Sequence, residues 1–466
     1  MSSVCVLASA AQPASSCEPP PPPAEQSGVP GGKPGNPPPG PPPGGAPQGG
    51  AACPPPQGMG EPGGMPPPPG GNQTHVIKAD QTVKSGMANW RSRKFSTRTA
   101  DTSAILVSNG ARLTLTDATI EKAGDTSSFD GSSFVGLNAA LLANEGGVLT
   151  VSDSRVIATG SGANGAFAVG AKSFVRLQQV DIRATGDNAH GVMVAGGGRM
   201  EMEDVTIFTS AQRSAAIATD RGSGEIRVKG GQWQTTGAMS PVLYSTGVID
   251  VMGGCGRADA AEAVVIEGSN LVELRDTRLT GARNGAMIYQ SFSGDAEGQH
   301  GRLNITGGEF IASSGPLLYV TNTHADVTLK ATRLQAASGI LVQARADRWG
   351  RQGNNGGHLR LQASRMALSG AVLADGLSDI TLTLGEGARW TGRSQGKVSL
   401  SLQAGAAWVL DGDAQVSRLE GADCESGSCR NIRGNGFSVR YDPAANPWAK
   451  GRSFSLPGGG LLRPAV

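Results

Sequence analysis

One phrase of thirteen residues recurs along most of this chain: RLTLTDATIEKAG (112–124), VLTVSDSRVIATG (148–160), FVRLQQVDIRATG (174–186) and RMEMEDVTIFTSA (199–211) are versions of one unit. It continues as EIRVKGGQWQTTG, VIDVMGGCGRADA, LVELRDTRLTGAR, RLNITGGEFIASS, DVTLKATRLQAAS and HLRLQASRMALSG, and more loosely through DITLTLGEGARWTG and KVSLSLQAGAAWVLDG. Within a copy, apolar and polar residues alternate at period two, the mark of a strand with one buried face. Aligned copies put Leu113, Leu149, Val175, Met200 and Ile226 in one inward column and Leu115, Val151, Leu177, Met202 and Val228 in a second. A turn position follows, holding Asp117, Asp153, Gln179, Asp204, Gly230, Gly253, Asp276 and Gly307, residue types that tolerate tight or left-handed turns. A third inward column runs through Ile120, Val156, Ile182, Ile207, Trp233, Leu279, Phe310, Leu334, Met366, Trp390 and Trp408.

A unit of this size cannot bury its own apolar face, whereas copies stacked one on another bury it continuously, each strand pairing with its counterpart about 4.8 Å away. The pattern therefore predicts an all-β chain, a parallel β-solenoid of about twelve rungs over 103–420. A leucine-rich horseshoe fits less well, because the copies carry neither its Leu/Asn signature nor a helical segment.

Composition divides the rest of the chain. Residues 1–72 hold 23 of the 29 Pro and 15 of the 70 Gly, while most of the remaining Gly fall at the corners of the repeat. The stretch 19–72 thus reads as a disordered, extended spacer, 73–102 as an N-terminal cap or lead-in, and 421–466 as a last rung and cap. Val4 to Ala11 reads as the remnant of a secretory h-region within 1–18. Net charge is +2 with no dense basic tract, so nucleic acid is not an expected partner. No apolar run reaches the ~18 residues of a membrane helix. The six Cys form no CxxC pair, and the five His do not fall at ligand spacing, so neither metal nor cofactor is expected. Cys424 and Cys429 enclose a four-residue loop that can close as a disulfide or stay as two thiols.

Residues 103–460 resemble the right-handed parallel β-helix proteins of the pectin-lyase-like superfamily. DTSAILVSNGARLTLTDATI, NAHGVMVAGGG, AAIATDRGSG and YQSFSGDAEG are similar to secreted bacterial β-helix proteins of adhesin-like type. GARWTG and GAAWVLDGDAQVSRLEG resemble the passenger rungs of autotransporter adhesins. An autotransporter would add a C-terminal membrane barrel, and no barrel is expected in this sequence through Val466. AlaSerSerCys ending at Cys17 resembles a lipoprotein box, with Ala14 where that motif has Leu. The resemblance implies a secreted or outer-surface protein, held to the cell envelope through its N-terminal segment if Cys17 is lipidated.

The superfamily contains polysaccharide lyases and glycoside hydrolases, but the AsnThrAsp, paired Asp, GlyHisGly and ArgIleLys motifs of its hydrolases are absent. Catalysis, which would draw on Asp295, Glu297, Asp347 and Arg348, is therefore the second reading. In the first, the rod is a binding or structural module. Arg176, Glu201, Arg227, Asp250 and Glu273 form an outward charge ladder that fixes register. In SPVLYSTG, EAVVIEG, GAMIYQS, GPLLYVT and GILVQAR, alternation turns Leu243, Val265, Ile288, Leu318 and Val342 inward. Val242, Val264, Met287, Leu317 and Leu341 then face outward, with Tyr244, Ile266, Tyr289, Tyr319 and Gln343.

Such an apolar stripe needs a partner. Insertions at 291–301 and 345–357 border it, adding Phe292, Asp295, Glu297, Asp347, Arg348 and Trp349. Rings beside carboxylates and Arg suit a glycan or surface polymer. The alternatives are cover by 73–100 or 437–466, and self-association. His300, His324 and His358 read as exposed turn residues.

Overall fold

The computed structural model describes residues 75–292 and 298–465. Cys17, the spacer 19–72, Asp295 and Glu297 lie outside the described residues.

Three parallel sheets run side by side, each built from one strand per rung. The first has 13 strands, from Lys78–Val83 to Ser394–Gln395, and the second has 14, from Met87–Arg91 to Arg418–Glu420. The third has 10, from Lys94–Thr97 to Arg333–Ala336, and a separate 4-stranded sheet follows it, from Ala367–Ser369 to Ile432–Arg433. The fold is the expected parallel β-solenoid. It has 14 rungs by the second sheet, more than the repeat phrases predict. The additions are Met87–Arg91, whose sequence MANWR lacks clean alternation, and the short Arg418–Glu420.

The two inward columns of the second sheet pair in the register read from the sequence, for example Leu149 with Val175 and Val175 with Met200. The third column holds from Ile120 to Leu334 but then shifts: Leu368, not Met366, pairs with Trp390, which pairs with Trp408. Gly256 completes this column between Trp233 and Leu279. A Cβ there would lie 2.6 Å from Val242 Cγ1 and 2.9 Å from Leu279 Cδ2, so the glycine makes room for the neighbouring indole. The turn column behaves as its residue types imply, with φ of 53° at Asp117, 50° at Asp153 and Asp204, and 67° at Gly230.

Outside the rungs lies an element with no counterpart in the repeat, the helix Phe129–Val135. The Ser128 hydroxyl caps it by accepting from the Gly131 N–H at 3.0 Å, and Gly136 ends it at φ 72°. The helix belongs to an insertion after the second rung. Beside it a second apolar cluster forms on the outer face of the first sheet, with Leu106, Leu142, Phe167, Met193 and Ala218.

The chain closes in a six-stranded sheet that includes Val439–Tyr441 and Leu461–Pro464, with Cys424 and Cys429 joined by a disulfide.

Candidate functional site

The first sheet departs from the expected alternation. Val242, Val264, Leu317 and Leu341, read as outward, are fully or almost fully buried. Strand pairing sets Tyr244 beside Val265, Val265 beside Met287, Met287 beside Tyr319, and Tyr319 beside Gln343. Tyr289 pairs instead with Glu267 and Thr321, two residues along. The three tyrosines therefore occupy two outward columns, not one, and Val265 and Ile288 are not in register with Leu243.

The two columns meet at Glu267, a carboxylate only 2% exposed. The hydroxyls of Tyr244 and Tyr289 each donate to its Oε2 at 2.8 Å, and Ser291 donates to Oε1. Burial, together with the charge on Glu267, pushes the Tyr244 phenol well above its ordinary pKa. Tyr244 also packs against the apolar cluster beside the helix, so it belongs to the covered part of this face. Ile77 and Ala79 of the segment 73–100 pack against that cluster as well, and the helical insertion adds to the cover. Gly136 in the helical insertion sits so close that a Cβ would lie 2.5 Å from Leu142 Cδ1 and 3.2 Å from Phe167 Cγ.

Beyond Tyr244 the corner between the first and second sheets is built by the two insertions. The longer one folds back across a rung: the Asn322 N–H donates to Asn355 O, and Asn355 Nδ2 donates to the carbonyls of Asp347 and Trp349. These bonds aim Trp349 at the neighbouring insertion. Its ring centroid lies 5.2 Å from that of Tyr289 and 6.2 Å from that of Phe292, which is 66% exposed. The Arg348 guanidinium lies 4.7 Å from the Trp349 centroid, a cation–π distance. The Tyr319 hydroxyl donates to Asp347 Oδ2. Partial burial raises the Asp347 pKa, but the Tyr319 bond, the Arg348 N–H, and the Arg345 and Arg348 charges outweigh it, holding the carboxyl below its usual range.

Tyr289, Phe292, Tyr319, Asp347, Arg348 and Trp349 thus come together. The sequence did not single out Glu267, although a lone acid in an apolar strand, AVVIEG, was a signal. Asn322 and Asn355, which pin the loop, carried none.

The charge ladder has the expected register, Arg176 to Glu201 to Arg227 to Asp250 to Glu273, but its bonds run partly along and across strands. Arg176 pairs with Glu201, whereas Arg227 pairs with Glu225 on its own strand and Asp250 with Arg275. A groove of about 340 Å³ lies over this ladder. Its charges are already spent on one another, so the aromatic corner is the stronger candidate.

His300, His324 and His358 are strand residues, not turn residues. They pair in one column on consecutive rungs of the second sheet. Among the described residues no group of three or more His, Cys, Asp or Glu is arranged to hold a metal ion, and no helix is long and apolar enough to cross a membrane.

The structure is thus a parallel β-solenoid that carries side-chain clusters on inserted loops at one corner. Consistent with this, the sequence is similar to the BrkA autotransporter of Bordetella pertussis (strain Tohama I), with 25% identity over 297 residues, 59% of this chain and 28% of that protein. The chain thus spans under a third of the length of the curated relative it matches. No family model matches the sequence.

Proposed function

We propose that this chain is a secreted or surface-displayed β-helix serving as an adhesin-like binding module for a glycan or surface polymer, with the aromatic corner as its site. In this reading the segment 19–72 spaces the solenoid from the envelope. The observation that carries the proposal is the grouping of Tyr289, Phe292 and Trp349 around an exposed Arg348 and Asp347. Sugar rings pack their apolar faces on aromatic rings, and paired charges beside them bind hydroxyls.

The test is a glycan array read beside a reducing-end assay. Tyr289 is a poor first target, because its hydroxyl serves the buried Glu267. Trp349→Ala should weaken binding about tenfold, equivalent to ~1.4 kcal/mol, with the melting temperature little changed. Wild-type binding by that variant would remove the corner from consideration. Release of reducing ends would establish the enzymatic reading in its place.

A further inference from the structure

The histidine column lies on the same three rungs as the aromatic corner, on the other side of the same insertions. Residues 298–299 lead into His300, and 345–356 lead into His358. The His324 ring stacks on His358 with centroids 4.6 Å apart and lies 6.5 Å from His300. His300 Nε2 donates to Asp326 Oδ2 and His358 Nδ1 to Asp379 Oδ2, both at 2.6 Å. In the next outward column Arg302 and Arg360 flank Asp326 in register, both exposed, with Arg360 3.9 Å from the carboxylate. Lys397 follows Asp379 at the end of the column and is exposed. On the other side the preceding strand presents Leu271 and Glu273, and Glu273 is bonded by Asn304.

With neutral imidazoles, this strip holds three cations, Arg302, Arg360 and Lys397, against two carboxylates, Asp326 and Asp379. Each imidazole that gains a proton adds a positive charge, and among the described residues no further acid in the column offsets it. We propose that the strip His300–His324–His358 with Arg302 and Arg360 is an anion-reading extension of the aromatic corner, so that the polymer bound there is an anionic glycan held more tightly as the pH falls. The proposal rests on the glycan-binding reading and adds to it the ligand's charge and a direction for its regulation. An arginine-flanked imidazole column suits sulfate or carboxylate groups, because it supplies several N–H donors and positive charge along one line. Burial, then the neighbouring His358 and His300, hold the His324 pKa below the ordinary 6.5 against the pull of Asp379.

Dextran sulfate and unmodified dextran share a backbone and differ in charge, and sulfate stays ionised throughout the useful range. Binding of both to the full chain is measured at pH 7.5 and 5.5 at fixed ionic strength. Dextran sulfate should bind about tenfold tighter at pH 5.5, with dextran unaffected by pH. His300→Gln, His324→Gln and His358→Gln together should abolish the gain in affinity between pH 7.5 and 5.5, whereas Arg302→Gln with Arg360→Gln should weaken binding at both values and flatten its salt dependence. Thermal melting of each variant separates a lost site from a lost fold. Absent binding, pH-independent binding, or a pH gain that survives the histidine changes would each overturn the proposal. A wild-type glycan-array profile for Trp349→Ala would instead overturn the reading it rests on.

Discussion

Lys122 lies in an inward position of the third sheet and is 1% exposed, yet its ammonium has partners: Nζ donates to Thr99 O at 3.1 Å and Gly124 O at 2.7 Å. Burial pulls its pKa from 10.5 to about 8, against the attraction of Asp125, Asp101 and Asp80. Between about pH 8 and 10.5 the unfolded chain therefore holds a proton that the folded chain has released, and folding becomes more favourable as pH rises. Chemical denaturation across that window should show stability climbing by at most ~1.4 kcal/mol per pH unit, and Lys122→Met should lose that component of the slope. An equal slope in the variant would assign the effect to other groups. Alternation places Lys122 inward two residues after Ile120, but only the coordinates reveal that two carbonyls receive it. The turn column was more legible: Asp and Gly, with one Gln at 179, recur where φ turns positive, because local hydrogen bonding of the Asp carboxylate or the missing Cβ of Gly tolerates that geometry.

Elements were read best where one face is wet. The second sheet alternates buried and exposed residues, as in the pattern eBeBi of Arg112–Thr116, and its register follows directly from the sequence. The first sheet is buried on both faces over much of its length, as in Val264–Glu267, where all four residues are buried. Alternation disappears there, so the assignment of Tyr289 to the Tyr244 column slipped. Over the early rungs part of the cover is the insertion with the helix Phe129–Val135, which looks like a polar loop in the sequence. Its removal has a definite expected outcome: replacing 127–137 by a short Gly/Ser link should expose Leu106, Leu142, Phe167 and Met193 and raise binding of a hydrophobic dye. Gly136→Val, which places a side chain against Leu142 at φ 72°, should cost about 1 to 3 kcal/mol by thermal unfolding. If neither change is seen, the insertion does not hold that face.

At the scale of the whole molecule, each rung touches mainly its two neighbours, so damage should stay local. Trp390 and Trp408 stack with centroids 5.0 Å apart, and their indole N–H groups donate to the carbonyls of Gly370 and Gly392 at 2.9 Å. Trp390→Ala should cost about 3 to 5 kcal/mol. Hydrogen exchange should show protection falling in 367–433 while 112–184 keeps its own. Uniform loss would mean that the rod unfolds as one cooperative unit.

The solenoid, its second-sheet register and its turn column were all legible along the chain, because the repeat encodes the same local choice in every copy. The sequence also marked the two insertions and most of the residues that meet at the corner. How those insertions fold across rungs, which tyrosines share a column, and the ladder of His300, His324 and His358 emerge only in three dimensions. Those outcomes depend on contacts between residues about 22 to 60 positions apart, from Glu267–Tyr289 to Tyr289–Trp349, whose spacing varies with each insertion, and a repeat read along the chain carries no information about such irregular lengths.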